Sequence, residues 1–184
     1  MTASSKRAVF FDRDGVLNRA VVRDRKPYPP ADVESFELLP GVPEGCARLR
    51  AAGFELFVVT NQPDVARGTQ SKAVVEAMHR LLRRRLPLVD IAACYHDSGA
   101  GCGCRKPAPG MLTRLASRWN VNLPGSFLVG DRWRDVDCGR RAGCRCVFID
   151  YGYDEELCEQ PDITVKDFTA ATEWILAAAL TESE

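Results

Sequence analysis

Two aspartates separated by one residue, Asp12 and Asp14, follow the apolar run Ala8-Val9-Phe10-Phe11 and precede Gly15. Such a run reads as a buried strand, and the carboxyl end of a strand is where an open α/β sheet binds its ligands. One carboxylate in that position can attack as a nucleophile while the other moves a proton. Gly15 lets the chain turn sharply straight afterwards. An acidic turn alone is a common surface feature, so the pair needs company. Three later segments supply it: Thr60-Asn61-Gln62, Arg105-Lys106-Pro107 and Gly130-Asp131-Arg132-Trp133-Arg134-Asp135.

The elements that must position these groups are legible as alternating strand and helix signals. Strands are expected at Ala8–Phe11, Glu55–Thr60, Ile91–Tyr95, Ser126–Val129 and Arg145–Ile149. Helices are expected at Val42–Ala52, Ser71–Leu86, Gly110–Trp119, Trp133–Ala142 and Phe168–Leu180. Gly53 and Gly143 mark helix ends, and Pro109 stands near a helix start. Alternation of this kind predicts an α/β fold, a doubly wound parallel sheet covered on both faces in a three-layer, Rossmann-like arrangement. All carboxyl ends of a parallel sheet share one edge, so the four segments converge on a single crevice. Asp12 and Asp131 can there supply carboxylates to Mg²⁺, while the Thr60 hydroxyl and Lys106 hold phosphoryl oxygens. That set suits phosphoryl transfer.

Composition narrows the classes. The chain has 184 residues, 46% hydrophobic and 27% charged, enough for one domain with a sizeable core. The balance of 25 basic against 25 acidic side chains gives no global field for nucleic acid or a membrane surface. The start, Met1 to Arg7, is a polar lead without the apolar stretch of a signal peptide. The apolar tail Trp174–Leu180 is too short to span a bilayer and reads as part of a docking helix over residues 168–180. The expectation is a cytoplasmic, monomeric protein, one domain over residues 1–184 with its core at about 8–150. Only about two dozen residues separate Gly15 from Pro40, too few for a large cap domain over the site. The longest irregular stretch is Arg19–Phe36. Its Arg19–Lys26 portion, with Arg67 and Arg105, offers cations for a second phosphate or sugar hydroxyls.

A second constellation lies in residues 94–104, where Cys94, His96, Cys102 and Cys104 stand close together. Three thiolates and an imidazole form a closed structural Zn²⁺ set, and Gly99, Gly101 and Gly103 let the loop bend around an ion. The cluster ends immediately before Arg105-Lys106, so zinc there would order a phosphate clamp. The remaining cysteines (46, 138, 144, 146 and 158) read mostly as small buried hydrophobes.

The ordered words Asp12-Arg13-Asp14-Gly15, Thr60-Asn61-Gln62, Arg105-Lys106-Pro107 and Gly130-Asp131-x-x-x-Asp135 resemble the haloacid dehalogenase (HAD) superfamily over about residues 8–149. The resemblance implies a HAD fold and a Mg²⁺-dependent phosphomonoesterase. It implies Asp12 as the nucleophile that forms an aspartyl-phosphate and Asp14 as the general acid and base. Thr60 and Lys106 become phosphate ligands, with Asn61, Arg67 and Arg105 beside the substrate. Asp131 becomes a Mg²⁺ ligand with Asp12 and the Asp14 carbonyl, and Asp135 acts behind it. The Cys94-x-His96…Cys102-x-Cys104 cluster, Ala66-Arg67-Gly68 and Lys106-Pro107-x-Pro109-Gly110-Met111 narrow the resemblance to the zinc-containing, histidinol-phosphatase-like branch. That branch implies a small phosphorylated substrate: first a heptose 1,7-bisphosphate cleaved at position 7, alternatively histidinol phosphate. A non-catalytic sugar-phosphate binding module is the alternative of another class.

Overall fold

The computed structural model describes residues 5–181; the first four residues of the polar lead lie outside this range. In chain order the strands are β1 (Ala8–Phe11), β2 (Val21–Arg23), β3 (Lys26–Tyr28), β4 (Glu55–Asn61), β5 (Asp90–Cys94), β6 (Phe127–Gly130), β7 (Arg145–Ile149) and β8 (Ile163–Val165). The α-helices are α1 (Val42–Ala51), α2 (Lys72–Arg85), α3 (Gly110–Trp119), α4 (Trp133–Ala142) and α5 (Phe168–Thr181). Among the described residues, one six-stranded sheet runs β5-β4-β1-β6-β7-β8 with every neighbouring pair parallel. This is the doubly wound α/β order, and its reversal point lies between β1 and β6.

The strand β1 shows why the sheet is covered on both faces. All four of its residues are fully buried, so it reads as a continuous apolar run and not as an alternation. Val9 and Phe11 pack with residues of α1, α2 and α5, while Ala8 and Phe10 pack with residues of α3 and α4. Cys46 joins the first cluster and Cys138 and Cys144 the second, as small apolar groups; Cys146 is buried and Cys158 exposed. The α5 helix docks on α1, β7 and β8. Among the described residues, no helix is long and apolar enough to cross a membrane.

Two elements differ from the sequence expectation. The stretch Arg19–Phe36 is not wholly irregular: β2 and β3 pair antiparallel, Arg23 opposite Lys26, around Asp24 and Arg25. Both turn residues have positive φ, 50° and 57°, the geometry of a tight two-residue hairpin. Proline at 27 and an exposed charged composition hid it. The edge strand β8 was not expected, because three residues are too few for periodicity to register. Strand bounds elsewhere shift by a residue: β4 extends to Asn61, β5 is Asp90–Cys94 and β6 is Phe127–Gly130.

One polar contact joins α2 to the turn after β1. Arg13 is fully buried, and its Nη1 lies 3.2 Å from Nε2 of His79, itself 4% exposed. Burial, and then the Arg13 charge, push the His79 pKa down to about 4 from its usual 6.5. In the unfolded chain the imidazole protonates near 6.5, so the stability that goes with the neutral ring is complete above that pH. It is lost as the pH falls from about 6.5 to about 4. Urea unfolding at pH 7 and pH 5 should therefore show a loss of stability in the wild type that is smaller in His79→Gln. Equal losses in the two proteins would contradict the assignment.

Candidate active site

The sheet brings the predicted groups to one edge. Asp12 follows β1 and Asp131 follows β6, on either side of the reversal point; Thr60 and Asn61 end β4, and Cys94 ends β5. The strand ends are tied to one another: the Asp12 N–H donates to the Val129 carbonyl at 2.9 Å and the Gln62 N–H to the Cys94 carbonyl at 2.7 Å.

Lys106 is the centre of the arrangement. Its ammonium lies 2.8 Å from Asp12 Oδ1 and 2.6 Å from Asp135 Oδ1, two close ion-pair contacts. The lysine and Asp135 side chains are each 1% exposed and Asp12 13%, so little water shields the charges. Burial opposes the lysine's charge, but the two carboxylates outweigh it and raise its pKa above the usual value. Burial raises Asp12 to about 6, with Lys106 opposing the rise. Asp131 is pushed well above the carboxylate range by burial and by the charges of Asp12 and Asp135. Neither of its buried oxygens accepts a well-formed hydrogen bond, although Tyr153 faces it.

Local sequence explains this closeness. Asp135 stands in the first turn of α4, where an acid is favoured by the helix dipole, and its Oδ2 accepts the Arg132 N–H at 3.1 Å. A Cβ on Gly130 would lie 2.1 Å from Asp135 Cβ, and one on Gly15 (φ 86°) would lie 1.9 Å from Asp131 Oδ2. Only glycine permits the two acids to pack against the chain in this way. Oxygens of Asp12, Asp131 and Asp135 all lie within 4.8 Å of one another. Three buried acids facing one ammonium, one acid with both oxygens unsatisfied, form an oxygen donor set that fits a hard divalent cation.

Asp14 lies beside them, held from three directions. Arg13 donates through Nε and Nη2, at 2.9–3.1 Å, to both its oxygens. Asn18 Nδ2 reaches Oδ1 at 3.0 Å, and Gln62 Nε2 reaches Oδ2 at 2.8 Å. Gln62 also donates to the Thr60 hydroxyl at 3.0 Å. Arg13, Asn18 and Gln62 escape a reading based on residue type, because an arginine or amide inside a motif looks like solvated punctuation. The usable signal is adjacency: Arg13 is enclosed by two acids on a buried strand's end.

The other predicted residues fall around the same cleft, of about 320 Å³. Asn61 lines it, but both ends of its amide bond the main chain of Lys106, at 3.0 Å each. Its observed work is to fix the lysine. Arg67 lines the cleft with its guanidinium engaged by Asp64 at 3.3 Å and Asp97 at 2.6 Å. Arg105 lines it and donates to the His96 carbonyl at 3.2 Å. Arg19 is paired with Glu37 and does not line the cleft, whereas Lys26 of β3 does. Arg132 and Arg134 also line it, and the buried Nε of Arg134 has no hydrogen-bond partner.

Next to Lys106 the four soft ligands come together. Cys94 Sγ is 3.7 Å from Cys102 Sγ and 3.3 Å from Cys104 Sγ; His96 Nδ1 is 3.5 Å from Cys94 Sγ and 3.3 Å from Cys104 Sγ. Tetrahedral bonds of about 2.3 Å would set sulfurs about 3.8 Å apart, so the donor set fits zinc.

Comparison with known proteins gives a concordant result. A family model described as HAD-hydrolase-like matches residues 103–171. A D-glycero-β-D-manno-heptose-1,7-bisphosphate 7-phosphatase of Pseudomonas aeruginosa is 36% identical, covering 80% of this chain and 83% of that one. The protein of the same name from Bordetella bronchiseptica is 34% identical, covering 93% of this chain and 98% of that one. A crystal structure of D,D-heptose 1,7-bisphosphate phosphatase from B. bronchiseptica, complexed with magnesium and phosphate, superposes with a TM-score of 0.79 at 32% identity, covering 94% of this chain and 99% of that one. Likeness of this extent, over a sheet edge that gathers the acids and lysine of all four motifs, shows that the chain belongs to the HAD-like hydrolases, in the family of the heptose-1,7-bisphosphate 7-phosphatases.

Proposed function

We propose that this phosphatase, acting as a single domain, removes the 7-phosphate of D-glycero-D-manno-heptose 1,7-bisphosphate. The observation that carries the reading is the buried ammonium of Lys106 between Asp12 and Asp135, with the unsatisfied Asp131 beside them. A binding module has no use for a second, separately held acid at Asp14.

Asp12 is the nucleophile: its carboxylate attacks phosphorus and forms an aspartyl-phosphate as the phosphate–oxygen bond of the substrate breaks. Asp14 gives a proton to the departing sugar oxygen and later takes one from the water that cleaves the acyl phosphate. Lys106 and the Thr60 hydroxyl hold phosphoryl oxygens as charge spreads over them. Asp12, Asp131 and the Asp14 carbonyl are the protein ligands for Mg²⁺, and Asp135 keeps Lys106 in place. When bound, Mg²⁺ offsets the charge of the acids and of the phosphate. Cys94, His96, Cys102 and Cys104 hold a structural Zn²⁺, and that loop carries Arg105 and Lys106 to the substrate. Lys26, Arg105, Arg132 and Arg134 form the cationic wall suited to the second phosphate. With Arg67 already paired to Asp64 and Asp97, its part is to brace that wall.

Phosphate release from the heptose bisphosphate should exceed that from histidinol phosphate, and a clear preference for the latter overturns the substrate. Asp12→Asn should lower turnover by about 10³-fold or more. A variant as active as the wild type removes the nucleophile from the account. Purified protein should contain one zinc per chain. Stripping it and then resupplying Mg²⁺ should leave kcat/KM about tenfold or more below the untreated enzyme. Protein purified without zinc at full activity would contradict the structural role.

A further inference from the structure

His79 takes no step in the reaction above, yet it is among the few polar side chains buried in the molecule, at 4% exposure. It stands on α2, and its Nε2 meets Arg13 Nη1 at 3.2 Å. An arginine has donors only, so Nε2 accepts and the ring proton sits on Nδ1. Nδ1 faces Glu76 Oε2 at 3.7 Å, and the other oxygen of Glu76 accepts the Tyr95 hydroxyl. Tyr95 lies between Cys94 and His96. Burial keeps the ring neutral, with a pKa near 4, so it remains an acceptor at neutral pH.

The guanidinium of Arg13 is therefore gripped along two edges. The Nε and Nη2 edge clamps Asp14, and Nη1 is taken by His79. The Phe36 ring, with its centroid 5.9 Å from the guanidinium carbon, lies alongside. A buried guanidinium attached to one carboxylate alone can swing together with it. A contact on the opposite edge fixes the plane, and with it the direction of the carboxylate. Reacting groups tolerate little error: misplacement on the order of 1 Å costs about 10²-fold in rate.

We infer that His79 is a positioning residue: it fixes Arg13, which in turn aims the Asp14 carboxylate into the cleft. The inference rests on Asp14 being the acid and base group. His79 touches no substrate, so its loss should appear in kcat and not in KM. The test measures kcat, KM and melting temperature on an aryl phosphate at saturating Mg²⁺ for the wild type, His79→Leu and His79→Gln. His79→Leu should lower kcat about tenfold or more with KM within about twofold. His79→Gln, whose amide oxygen can accept from Nη1, should recover kcat to within about threefold of the wild type. Should His79→Leu fail to fold, His79→Asn, polar but too short to reach Arg13, takes its place with the same expectation. A folded His79→Leu or His79→Asn with wild-type kcat overturns the inference, as does a His79→Gln no better than either. Turnover that collapses in Asp14→Asn upholds the acid-and-base reading whatever the His79 variants do, whereas Asp14→Asn at wild-type turnover overturns that reading instead.

Discussion

The structure around the cleft depends on one electrostatic imbalance. Lys106 presents a single positive charge, out of reach of solvent, to Asp12 and Asp135, with Asp131 close behind. Removing ions from water is costly, and only good pairing offsets the cost. One ammonium cannot match three carboxylates; burial first, and then the charges of the neighbouring acids, raise the pKa values of Asp12 and Asp131. A site with too many acids is a poor place for an anionic substrate unless another cation joins it. The surplus of negative charge thus marks the place for a divalent ion, and the lysine limits how large that surplus becomes.

Much of the surrounding chain serves to hold that lysine. The Asn61 amide bonds the Lys106 main chain on both sides, so β4 fixes the loop that follows β5. The cysteine and histidine cluster closes the same loop just upstream of the lysine. On the far side, Asp135 is locked by the start of α4. Gly15 and Gly130 admit the carboxylates at distances no other residue would permit. Loops with high freedom thereby acquire the rigidity of the sheet edge to which they are tied.

The larger architecture was legible because it is written in periodicity. Apolar runs such as Leu56-Phe57-Val58-Val59, and helices ending at Gly53 and Gly143, leave clear local marks, and parallel strands place their ends together by topology. The acids and the lysine were legible because residue type and strand end coincided. What was hidden depended on contacts between distant parts of the chain. Nothing near Arg13 announces that His79, in the middle of α2, will receive its guanidinium. Nor does the sequence show that the Lys106 main chain takes up both ends of the Asn61 amide, or that Asp97 pairs with Arg67. The hairpin β2–β3 and the strand β8 are each too short for a pattern to emerge from three residues a strand.

Calorimetric titration of Mg²⁺ into the wild type and Asp131→Asn, each with inorganic phosphate present, decides whether the buried acids form a cation site balanced against Lys106. A saturable heat is expected for the wild type, with an affinity weaker by about tenfold or more when Asp131 loses its charge. Equal affinity in the two proteins would contradict such a site.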